Sequence, residues 1–101
     1  YSSDERLKEN IEPISDTSIG SILELEGVTY NWKKNGKKDF GLIAQEVEKI
    51  YPELVKTDSN GYKSVDYGSL VVPLIEISKK QQERIGSLED RIERLERLLQ
   101  Q

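Results

Sequence analysis

The sequence predicts an α+β fold: a small globular part of short β-hairpins and short helices, followed by a long C-terminal helix that associates with copies of itself. Three observations carry this. Short stretches of β-type residues flank the turn signals Asn35-Gly36 and Ser59-Asn60-Gly61. Short segments of helical spacing sit before and between these hairpins. From Leu70 onward, apolar residues recur every seven positions.

In chain order, residues 6–14 mix Leu7, Ile11 and Ile14 with charge and are interrupted by Pro13, which suits an extended entry or a short turn. Asp16-Thr17 is placed to cap a short helix carrying Ile19, Ile22, Leu23 and Leu25, which Gly27 ends. Val28, Tyr30 and Trp32 alternate and share one strand face. The turn that follows holds Lys33, Lys34, Lys37 and Lys38, a solvated tip, and residues 40–44 return as the second strand. Tyr30, Trp32 and Phe40 are expected in the core rather than on a stacking surface for bases or sugars. Residues 45–50 read as a helix stopped by Pro52, with Gln45 and Glu46 in its first turn, where a carboxylate suits the dipole. Residues 54–57 and 62–67 form the second hairpin, and Asp66 is placed to cap the last helix. Tyr51, Tyr62 and Tyr67 are expected to fill the gap between hairpin and terminal helix.

In that helix Val71, Ser78, Ile85, Ile92 and Leu99 occupy one heptad position, and Leu74, Gln81, Leu88 and Leu95 the other. One helix cannot bury so narrow a seam, so it meets other copies. Arg84 and Arg91 precede Glu89 and Glu96 by five residues, the spacing of cross-chain pairs in a parallel coil. The number of strands stays open, because polar Ser78 and Gln81 spoil the usual rule. Pro73 is expected to kink the first turns or set them apart, and Gly86 costs about 1 kcal/mol relative to alanine. The chain divides into a globular region, 1–77, and a coiled-coil helix, 78–101, within one domain overall.

Composition removes several function classes. With 101 residues there is room for one modest domain. Net charge of −4 and an isoelectric point near 4.9 argue against nucleic-acid binding. No apolar run spans a bilayer, and no signal-peptide pattern opens the sequence. Without cysteine or histidine there is no disulfide framework and no thiolate or imidazole metal site, and no calcium-loop spacing appears. No metal and no cofactor are expected. What remains open for nucleophilic chemistry is a serine activated by a neutral lysine, and Ser3 and Lys8 stand five residues apart. Taken alone, the same run is far more often a turn or helix N-cap than an active site.

Four signatures follow one another: Ser3-Asp4-Glu5-Arg6-Leu7-Lys8-Glu9-Asn10-Ile11, then Gly41-Leu42-Ile43-Ala44-Gln45-Glu46-Val47, then Pro52-Glu53-Leu54-Val55. The last is Val65-Asp66-Tyr67 leading into Leu70-Val71-Val72-Pro73-Leu74-Ile75. In this order they resemble the C-terminal intramolecular chaperone and auto-processing domain of phage endosialidase tailspikes, tail fibres and neck appendages, related to a domain of the myelin regulatory factor family. The resemblance implies a homotrimer, with Val71, Leu74, Ile85, Leu88, Ile92, Leu95 and Leu99 as the trimer seam. It implies a chaperone that helps an upstream β-rich fibre segment of the same polypeptide fold, then releases itself by autoproteolysis. The cut falls between Ser2 and Ser3, with Ser3 as nucleophile and Lys8 as its partner in a Ser-Lys dyad. Asp4, Arg6 and Asn10 match the motif and are read as capping, ion-pairing and backbone-bonding support. The implied place of action is the host cytoplasm during virion assembly. Two rival readings stand beside this one. In the first, a non-cleaving trimerisation cap, Ser3-Asp4 merely turns the chain. In the second, a coiled-coil adaptor binds a partner helix and forms heteromers.

Overall fold

A computed structural model describes residues 2–101. Helix α1 (Asp16–Gly20) is capped by Ser15, whose hydroxyl accepts from the Ser18 N–H at 3.2 Å. The expected cap, Asp16, is instead the first helical residue, where its charge suits the positive end of the dipole. The helix tightens into a 3-10 turn, Ser21–Glu24, so the segment stops at Leu25, short of Gly27.

Strands β1 (Val28–Asn31) and β2 (Lys38–Gly41) pair antiparallel, Val28 opposite Gly41 and Asn31 opposite Lys38. Gly36 supplies the positive φ of 70° that the turn requires. The second strand ends at Gly41 rather than at 44, because the Tyr67 hydroxyl accepts from the Leu42 N–H at 2.9 Å and removes it from the ladder. Val28 and Tyr30 are half-buried, as the alternation predicts, but Phe40 is not in the core. It is 79% exposed, since the register sets it opposite Thr29 on the outer face. Trp32 is also half exposed; it packs edge-on against Tyr30 at 5.2 Å, and its indole N–H donates to Asp39.

Helix α2 (Ala44–Ile50) buries Val47 and ends at Tyr51, ahead of Pro52. Strands β3 (Val55–Thr57) and β4 (Lys63–Val65) form the second hairpin. Lys63 ties it to α2 through Glu48 at 3.1 Å. Of the three tyrosines expected to bridge hairpin and helix, Tyr51 is buried and donates its hydroxyl hydrogen to the Ser18 carbonyl. Tyr67 is half exposed and holds Leu42. Tyr62 is 75% exposed, because its backbone closes the turn on the Asp58 carboxylate and leaves the ring outside.

The Asp66 carboxylate accepts from the Ser69 N–H at 3.2 Å and from its hydroxyl at 2.6 Å, capping a 3-10 turn, Gly68–Leu70, that runs directly into α3 (Val71–Leu99). Pro73 neither kinks this helix nor sets its start apart. It is the third helical residue, where a missing N–H costs little, and its ring is buried. The helix passes unbroken through residues 77–78 and Gly86. Lys80 of α3 pairs with Asp16 of α1 at 2.8 Å, which holds the Asp16 carboxyl below its ordinary pKa.

Ile22, Val47, Tyr51 and Leu70 form the core cluster, with Leu25, Leu42, Ile50, Leu54, Val55, Val65 and Ile77 packed around it. That is little buried surface for a chain of this length, and a single copy is thinly stabilised. The radius of gyration is 19.9 Å, against about 13 Å for a compact chain of this size, because α3 projects beyond the core. Along it Ile85, Leu88, Ile92, Leu95 and Leu99 are all exposed in the single chain.

Gly41 is a point of close approach. A Cβ there would stand 2.8 Å from the Tyr67 hydroxyl and 3.4 Å from that of Tyr30. Gly41→Ala is expected to lower stability by about 1–3 kcal/mol in denaturant titrations at fixed chain concentration. Gly41→Ala with Tyr67→Phe should lose less than the two single losses summed, since Phe removes the clashing oxygen.

Candidate functional site

The segment ahead of Ile14 is polar and lies outside the core, so local hydrogen bonds rather than burial set its shape. Asp4, in extended backbone, caps a 3-10 turn, Glu5–Leu7. The Leu7 N–H donates to the Asp4 carbonyl at 3.1 Å, and the Lys8 N–H to the Glu5 carbonyl at 3.0 Å. One Asp4 carboxylate oxygen accepts from the Arg6 backbone N–H at 2.9 Å. The same carboxylate takes Arg6 Nε at 3.1 Å and Nη2 at 2.8 Å, a forked pair. The guanidinium bonded to Asp4 holds its carboxyl below the ordinary value, so it is ionised at neutral pH.

The turn brings the two chemistry-bearing side chains together: Lys8 Nζ lies 3.0 Å from Ser3 Oγ. This is hydrogen-bond distance, within which a neutral amine would take the hydroxyl proton. Ser2 and Ser3 are both exposed, so the bond between them is open to attack. Asn10 has φ of 53° and is the described non-glycine residue in left-handed backbone. Asparagine tolerates this where a β-branched residue would be strained.

Every described residue up to Pro13 is exposed, Leu7 at 74% and Ile11 at 67%. Among the described residues, no wall shields the pair in a single chain. Glu12 and Ile14 share a shallow groove of about 350 Å³ with Val72, Ile75 and Glu76 of α3, which joins this segment to that helix. A larger open groove, about 610 Å³, lies between the hairpins among Tyr30, Trp32, Leu42, Ile43, Val65 and Tyr67. None of its lining residues comes from the N-terminal segment. Among the described residues, no cluster of three carboxylates that would hold a metal ion occurs, and no helix is long and apolar enough to cross a membrane.

Sequence reasoning singled out all five motif residues, and the structure puts Ser3 beside Lys8 and Asp4 on Arg6. It missed the left-handed Asn10 and the grip of Tyr67 on Leu42. An asparagine four residues before Ile14-Ser15 is a weak signal for the first, and nothing local signals the second.

A family model described as the chaperone of endosialidase, carrying a peptidase family label, matches residues 3–56. A crystal structure described as a novel intramolecular chaperon is similar in fold, with a TM-score of 0.60 and 20% identity over 81% of this chain and 99% of that one. No curated protein matches the sequence.

Proposed function

The chain belongs to the chaperone-of-endosialidase family, and on that premise we propose that it is an intramolecular chaperone that trimerises through α3, helps an upstream β-rich fibre or tailspike segment fold, and then cuts itself off between Ser2 and Ser3. The release would occur in the host cytoplasm during virion assembly. The observation that carries the cleavage step is the 3.0 Å separation of Lys8 Nζ and Ser3 Oγ within one chain.

The chemistry follows from that contact. Neutral Lys8 takes the Ser3 hydroxyl proton as Oγ attacks the Ser2 carbonyl carbon. The tetrahedral adduct collapses with cleavage of the Ser2–Ser3 C–N bond, and the lysine ammonium returns the proton to the departing Ser3 amine. An ester then joins Ser2 to Ser3 Oγ. Water hydrolyses it, freeing the Ser2 carboxylate and restoring the serine hydroxyl. Each chain turns over once.

A lysine serves as a base only when deprotonated, which burial favours. The pair is open in a single chain, so neighbouring copies gathered by α3 would supply the walls and the donors that stabilise the oxyanion. Cleavage would then report that three chains had assembled.

Intact mass decides this on a version extended by about one fibre repeat upstream. The parent is expected to split before Ser3, while Ser3→Ala stays whole and trimeric. A parent that folds as a trimer and remains whole leaves the other reading, a trimerisation cap that keeps its chain. A chain that stays monomeric alone and pairs only with a foreign helix would sink both.

A further inference from the structure

Five residues of extended chain span roughly 17 Å, well beyond the reach of a lysine side chain back to a serine. The 3.0 Å contact between Lys8 and Ser3 therefore depends on the reversal made by the turn Glu5–Leu7. The turn contains no buried residue, and all of its members are exposed. Two backbone hydrogen bonds define it, and its side-chain support comes from Asp4 gripping Arg6 through both main chain and guanidinium.

We propose that Asp4 and Arg6 are positioning residues for the Ser3–Lys8 pair: the Asp4 carboxylate caps and clamps the turn that returns the Lys8 amine to the Ser3 hydroxyl. The assignment rests on the cleavage reading above for its consequence, but not for its geometry. Exposed ion pairs add little to global stability. The clamp acts on a local equilibrium, between a closed turn with the pair in contact and an open one with it apart. The two halves of the grip differ in weight. Bonding to the Arg6 N–H is N-capping, whose loss shifts such an equilibrium about fivefold. The guanidinium fork narrows the geometry further, since it fixes both carboxylate oxygens at once.

Two measurements test this on the same variants. The first is NMR contact between the Lys8 ε-methylene and Ser3 β protons in the chain of 101 residues. The second is the single-turnover cleavage rate of the upstream-extended version. Asp4→Ala is expected to weaken the NMR contact and slow cleavage about fivefold or more, with trimer mass and unfolding midpoint unchanged. Asp4→Asn keeps a capping acceptor and should recover most of both signals. Arg6→Ala keeps the cap, loses the fork, and should fall between. The positioning role is overturned if Asp4→Ala retains the parental contact and rate. It is equally overturned if Asp4→Asn does no better than alanine. Should the parent itself fail to cut while the NMR contact still follows this order, positioning stands and the cleavage reading falls.

Discussion

Lys8→Arg is expected to leave the upstream-extended chain whole from about pH 6 to 11, by intact mass, with its oligomeric state unchanged. Arginine keeps the length, the positive charge and a donor for Ser3 Oγ, but it does not deprotonate in this range. If Lys8 only orients the serine, arginine serves and cleavage persists. As the base, it is irreplaceable by a permanent cation, and the rate falls by about 10²–10⁴-fold, the usual contribution of general base catalysis. Lys8→Ala does not separate these cases, because it removes the hydrogen bond and the base together. Cleavage by Lys8→Arg at the parental rate would remove the lysine from the chemistry.

The second large effect concerns assembly. Ile92→Asp with Leu95→Asp is expected to convert the proposed trimer to a monomer in sedimentation, and to stop the proposed cleavage although Ser3 and Lys8 are untouched. Both residues are exposed in the single chain and lie far along α3 from the core cluster, so the fold of residues 15–70 should survive. In an assembled coil they would be buried, and losing them forfeits roughly 3–6 kcal/mol per chain before the cost of burying two carboxylates. The proposed seam already carries polar Ser78 and Gln81, and Gly86 beside it softens the helix, so it has little stability to spare. A trimer that persists would place the interface elsewhere. A monomer that still cuts would separate cleavage from assembly, and with it the idea that release reports correct folding.

Much of the secondary structure is legible because its causes are local. Asn35-Gly36 marks the first hairpin, since glycine alone takes the positive φ freely. Pro52 stops α2, and Asp66 caps the last turn before α3. The seven-residue recurrence marks α3 as a helix in search of partners. Where the reading errs, a competing local bond or the surroundings prevail. Ser15 displaces Asp16 as cap because its hydroxyl reaches the Ser18 N–H. Pro73 is harmless because the helix begins two residues before it, which the heptad pattern alone does not locate.

Taken alone, the sequence determined which side chains are available for chemistry. With no histidine and no cysteine, a serine activated by a lysine is what remains open, and the motif order around Ser3 and Lys8 marks the family. It determined an apolar stripe too narrow for one chain to bury. Only the three-dimensional structure decided which aromatics enter the core. Phe40 and Tyr62 are left outside while Tyr51 is enclosed, because strand register and turn closure, not hydrophobicity, choose the face. It alone decided that Ser3 and Lys8 meet. Their spacing permits any distance from contact to about 17 Å, and the angle of one turn, held by Asp4 and Arg6, selects 3.0 Å.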